Sequence, residues 1–141
     1  MATLKTNTLT GTTTAGSIAV TGEGNSTTTN LQQGLCKSWI NFDGASVDSS
    51  VNLTGVRDSF NVASSVDVDV GKHKANYTNP MATINYVAMV ASGDVGDNTS
   101  GRDEEIMQLT TALVKVRIFH TNDEANRDEG YVGITVHGDL A

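Results

Sequence analysis

A single cysteine, Cys36, rules out an internal disulfide. It stands beside Leu35 with no local base pattern, so it reads as a small hydrophobe and not as a nucleophile. Proline occurs once, at Pro80, and the only Trp is Trp39. Basic residues are scarce, with nine Lys and Arg against sixteen Asp and Glu and a net charge of -7. Nonspecific nucleic-acid binding needs clustered cations to displace counterions, and an anionic membrane surface needs the same. Neither partner is expected. No apolar run approaches bilayer length, so no membrane insertion is expected. "MATLKTNTLTG" has no apolar h-region, so no secretory leader is expected either.

What is present is Thr, Val and Gly. Thr and Val branch at Cβ and favour extended backbone, which points to an all-β protein. Residues 1–33 differ from the rest. Residues 1–35 hold eleven Thr, and Lys5 and Glu23 are their only charges. Too few apolar residues occur there to offset the entropy of ordering. "GSIAVTG" (16–22) has the alternation of a short strand, so this segment is expected to be an extended N-terminal arm that orders against a partner. Residues 34–141 are expected to form an antiparallel β-sandwich, jelly-roll-like, of five to seven short strands separated by Gly, Asp and Asn turns.

"KSWINFDG" (37–44) opens that domain. Alternation puts Ile40 and Phe42 on one face and Trp39 on the other. These three are candidate core or interface anchors. Both faces of the strand are expected to be covered, one by a neighbouring subunit, and Trp39 is expected to supply much of the packing between sheets. On that reasoning Trp39→Ala costs several kcal/mol, roughly the usual Trp truncation. Alternation also places His73, Ala75 and Tyr77 together, and Ile84, Tyr86, Ala88 and Val90 together. Val114, Val116 and Ile118 share a face, as do Val132, Ile134 and Val136. Val51 and Leu53 alternate in the same way. "GRDEEIMQLTT" could open a helix, with Asp103, Glu104 and Glu105 at its N-terminus, but a loop leading into the next strand is preferred.

"GLCKSWINFDG", "VRDSFNVASSVD", "KHKANYTNPMATINYVAMV" and "VKVRIFHTNDEANRDEGYVGITVHG", in that order, resemble a module of tailed-bacteriophage structural proteins. It recurs in phages of marine bacteria and cyanobacteria. The match spans about residues 34–138, and the Thr-rich leader resembles stretches that precede such modules in tail-fibre-like proteins. The resemblance implies a small β-sandwich that acts as a homotrimer, with no enzymatic activity and no cofactor, located in the virion and assembled in the host cytoplasm. The implied partners are other copies of the chain, other virion proteins of tail or capsid, and a host-surface glycan or protein. The chain is short with no long shaft, so a long fibre is not expected and a compact tail-tip or capsid-bound module fits better; the leading expectation is a tail-tip or fibre-like component. The alternative is a capsid decoration protein that stabilises the head.

No catalytic residue and no metal ligand set is assigned from the sequence. His73, His120 and His137 lie far apart, with no Cys pair to support a Zn site. Asp67 and Asp69, two apart in "DVDVG", should project to one side of a strand. With Asp94, Asp97 and Asp103 they could suggest Ca2+, but the ligand order of an EF-hand is missing, and solvated turns are the better explanation. A depolymerase would need two carboxylates across a cleft, and the acidic residues here fall in turns. The candidate surface-contact loop is 94–105, "DVGDNTSGRDEE", with Asp94, Asp97, Asn98, Arg102, Asp103 and Glu104. Residues 121–130 are its candidate neighbour.

Overall fold

The computed structural model describes residues 5–11, 18–21, 28–46, 55–94 and 101–139. The chain divides into two compact units, Met1–Leu35 and Cys36–Ala141.

In the first unit β1 (Ala19–Thr21) pairs antiparallel with β2 (Thr28–Asn30), with Val20 opposite Thr29. A single helical turn, α1 (Leu31–Gly34), follows, and Leu31 N–H donates to the Ile18 carbonyl at 2.9 Å. The described part of the expected extended arm thus contains a hairpin of its own. Cβ-branched Thr and Val satisfy their backbone groups locally, but both strands are largely exposed.

The described residues of the second unit form eight strands: β3 (Cys36–Phe42), β4 (Val56–Phe60), β5 (Val62–Asp69), β6 (Lys72–Tyr77), β7 (Val87–Gly93), β8 (Arg102–Leu109), β9 (Leu113–His120) and β10 (Tyr131–His137). Two four-stranded sheets form, in the orders β4-β3-β10-β7 (sheet I) and β5-β6-β9-β8 (sheet II), and every pairing is antiparallel. The fold is all-β and sandwich-like. Its strand order departs from the jelly-roll expectation. In an eight-stranded jelly roll most consecutive strands lie in different sheets, whereas here β3–β4, β5–β6 and β8–β9 are neighbours within one sheet. Short turns explain this for β5–β6, which Val70 and Gly71 join directly.

The core is drawn mainly from the four central strands. Ile40 and Phe42 come from β3, Val132, Ile134 and Val136 from β10, Ala75 and Tyr77 from β6, and Val114, Val116 and Ile118 from β9. Each set is one face of an alternating strand, as expected from the sequence. Met81 and Tyr86, from the connection between β6 and β7, complete it. The Tyr86 hydroxyl lies 2.9 Å from the Thr110 carbonyl and 3.1 Å from that of Leu113, and the Tyr77 hydroxyl donates to it at 3.3 Å. Burial, with that hydrogen bond, pushes the Tyr77 phenol well above its ordinary pKa. Ile84 was grouped with this face but is exposed, because β7 starts only at Val87. Val51 and Leu53 lie outside the described residues.

The two sheets are joined at one side by a single residue. Asn61 lies between β4 and β5 with φ 57°, a left-handed conformation that Asn tolerates better than most residues. Its side-chain amide donates to the Lys37 and Asn79 carbonyls, each at 3.0 Å, and its Oδ1 accepts from Asn79 N–H at 2.7 Å. The "RDSFNV" stretch is therefore a corner. Arg57 braces the same strand by donating to the Gly130 carbonyl at 2.6 Å and to Asn41 Oδ1 at 3.2 Å.

Candidate functional site

The outer face of sheet I carries apolar side chains with nothing over them among the described residues of the second unit. Register places Phe60, Trp39, Thr135 and Met89 in one row across β4, β3, β10 and β7. Phe60 is 52% exposed and Met89 63%, while Trp39 is half-buried. Val87 (61% exposed) flanks Met89 on β7, and Tyr131 leans over Gly133, whose missing side chain leaves it room. Met89, Ala91, Tyr131, Gly133 and Thr135 line a shallow hollow there. Apolar clusters of this kind, rimmed by polar groups, mark interaction surfaces. Arg57 and Asp58 supply such a rim on β4.

Ile40 and Phe42 are core residues, at 2% and 0% exposure. Trp39 is on the opposite face of β3, as alternation requires, and does not join the core. The inter-sheet packing expected of its ring belongs to Phe42. The outer residues Val87, Met89, Phe60 and Tyr131 were not singled out from the sequence. The signal was there: "VAMVA" is apolar at both strand faces, the pattern of a strand covered on two sides.

The segment 94–105 is not a contact loop over its whole length. Arg102, Asp103 and Glu104 belong to β8, and so neither the helix nor the loop reading of "GRDEEIMQLTT" holds. Alternation turns Arg102, Glu104 and Ile106 inward. Arg102 Nε meets Glu129 Oε2 at 2.8 Å and its Nη2 meets Asp94 Oδ2 at 3.9 Å. Glu104 accepts from Ser92 N–H at 2.8 Å and from its hydroxyl at 2.7 Å, tying β8 to β7 across the two sheets. Asp103 is exposed. Asp97 and Asn98 lie outside the described residues. The partner segment 121–130 folds back on sheet II: Asn126 bridges Phe119 and accepts from Arg117 Nε at 2.7 Å, and Glu129 is buried.

A second constellation gathers two partly exposed carboxylates around one buried side chain, His73. The backbone register shifts between Asp67 and Asp69, so the two carboxylates part, contrary to the expectation that they share a side. Asp69 pairs with Lys72 at 2.8 Å on the surface. Asp67 instead pairs in register with His73. Asp128 brings Oδ1 to 3.7 Å from His73 Nε2. The His73 side chain is fully buried and meets the Phe42 ring edge-on at 5.2 Å. Burial pulls its pKa below the ordinary value, and the Asp128 and Asp67 charges oppose that pull. Neither His73 ring nitrogen, nor Asp67 Oδ1, has a hydrogen-bond partner among the described residues. Of the carboxylates weighed as cation ligands from the sequence, only Asp67 takes part here.

The architecture defines an antiparallel β-sandwich with one apolar outer face. No protein-family model, curated protein or solved structure matches the chain. Among the described residues no helix is long and apolar enough to cross a membrane.

Proposed function

We propose that this chain is a non-enzymatic structural protein of a tailed-bacteriophage virion, a tail-tip or fibre-like component that assembles with copies of itself through the outer face of sheet I. The observation that carries this reading is the row Phe60–Trp39–Thr135–Met89, with Val87 and Tyr131 beside it. Burying such side chains yields about 25 cal/mol per Å2 of apolar area, a gain the isolated chain forgoes. A second copy offers the same apolar row, with no charged side chain in it to desolvate. The order of motifs that resembles phage structural modules supplies the virion context, and trimers are the usual state of such modules. Contact with a host-surface glycan or protein is the further role proposed for exposed residues of the 94–105 segment, such as Asp103 on β8.

The first test is mass by light scattering on the full chain, with Met89→Lys and Phe60→Asp as variants. A trimer that dissociates in both variants is expected, and a wild-type monomer at tens of micromolar, roughly the range of a weak interface, overturns the assembly role. Gold-labelled antibody on intact virions then gives the position. Label on the tail is expected. Label over the head identifies a capsid decoration protein instead, and virions without label refute both.

A further inference from the structure

We propose that Asp67, His73 and Asp128 form a three-ligand site for a divalent transition-metal cation of the Zn2+ type, fastening the 121–130 segment to sheet II. One donor atom from each residue lies within 4.8 Å of the other two. Ligand bonds of about 2.0–2.2 Å put tetrahedral donor atoms roughly 3.4 Å apart, so side-chain adjustments of about an ångström close the site.

Two further observations point to a ligand. Buried polar atoms are almost always hydrogen-bonded, yet both His73 nitrogens and Asp67 Oδ1 are not. Asp128 is held in place from outside the cluster, because Gly71 N–H donates to its Oδ1 at 2.7 Å. That is the kind of support that orients metal-binding carboxylates. Asp128 is also 29% exposed, which gives an ion a way in and leaves room for a water as a fourth ligand.

The donor set selects the metal class. One imidazole nitrogen with two carboxylates suits Zn2+ or Mn2+, whereas Ca2+ and Mg2+ prefer oxygen alone. The three donors come from β5, from β6 and from the segment leading to β10. Bound metal would therefore hold together parts of the chain that meet only in the folded state, and would stabilise that state by linkage.

The experiment uses the full chain, treated with chelator and dialysed. Zn2+, Ca2+ and Mg2+ are titrated separately by calorimetry and by thermal melting. One Zn2+ per chain is expected, and at about 100 times its Kd the folding equilibrium shifts by about 100-fold. Asp67→Asn, Asp128→Asn and His73→Gln should each weaken binding by roughly 10–100-fold or more, while His120→Gln and His137→Gln leave it intact. Co2+ binding to the wild type provides a readout that needs no variant to fold: a strong visible band from a low-coordinate centre is expected. No saturable Zn2+ binding, binding that survives both Asp67→Asn and Asp128→Asn, equal effects of Ca2+ or Mg2+, or a Co2+ spectrum like that of the hydrated ion overturns the proposal.

Discussion

Replacing Asn61 tests whether one side chain holds the corner between the sheets. Its amide spans the Lys37 and Asn79 carbonyls, and its Oδ1 receives Asn79 N–H. A typical hydrogen bond contributes about 0.5–1.5 kcal/mol net. One of these is partly buried and two are exposed, so their loss is worth about 2 kcal/mol. Alanine also carries a left-handed backbone cost of about 1 kcal/mol at φ 57°. Asn61→Ala should therefore cost about 3 kcal/mol. In a sandwich of this size that lowers Tm by roughly 12 °C, at about 4 °C per kcal/mol. Asn61→Gly separates the two terms. It loses the same bonds, accepts the positive φ, and gives back about 0.5–1 kcal/mol through the freedom of glycine in the unfolded chain. It should melt at or slightly above the alanine variant. Asn61→Asp keeps the acceptor but points a carboxylate at two carbonyls, so it should be the least stable of the three at neutral pH and recover in acid as that carboxylate is protonated. Calorimetric melting of the four proteins decides. An Asn61→Ala protein within about 2 °C of wild type would refute the reasoning.

Other outcomes follow from the same geometry. Phe42→Ala should cost about 3–5 kcal/mol. Trp39→Ala, half-buried outside the core, should cost only about 1–2 kcal/mol in the monomer, and equal losses in urea denaturation would contradict this assignment of faces. Gly71→Ala should cost about 3 kcal/mol or more, because φ is +65° and a Cβ would collide with the Ile118 carbonyl and come within 2.7 Å of Arg127 N. A near-normal melt of that variant would show that the turn moves freely. His73 gives a pH dependence in metal-free protein. Burial depresses its folded pKa below 6.5, so the unfolded chain takes up the proton first as pH falls. The stabilisation is complete above pH 6.5 and is lost as pH drops through the lowered folded value. The urea midpoint should fall as the pH is lowered below 6.5 in the wild type, and His73→Gln should lack that component.

The core was legible because its strands follow a strict period of two. Residues 113–119 sort into Val114, Val116 and Ile118 inside and Leu113, Lys115, Arg117 and Phe119 outside, and the structure keeps that division. The outer surface was less legible. Met89 and Phe60 are ordinary strand residues until register aligns them with Trp39, and register depends on partners distant in sequence. Arg102 and Glu104 looked like loop charges because acidic runs usually face water. Here each finds a partner on a neighbouring element, Glu129 for one and Ser92 for the other. The Asp67–His73–Asp128 cluster could not be read from spacing, since the irregularity at Val68 turns Asp67 away from Asp69 and Asp128 arrives from another part of the chain.

The pairing of β3 with β10 has a kinetic consequence. The first and last strands of the sandwich lie side by side at the centre of sheet I, and Cys36 meets the Val136 carbonyl 100 residues away. Such a loop must close before its contacts return any energy, so folding should be slow for the length, on a scale of about milliseconds to seconds. On the ribosome the β3–β4 hairpin and β7 stay unjoined until β10 emerges. Until then Ile40, Phe42 and two strand edges are open to other chains, which makes the sandwich most prone to misassembly in the interval between synthesis of β3 and docking of β10.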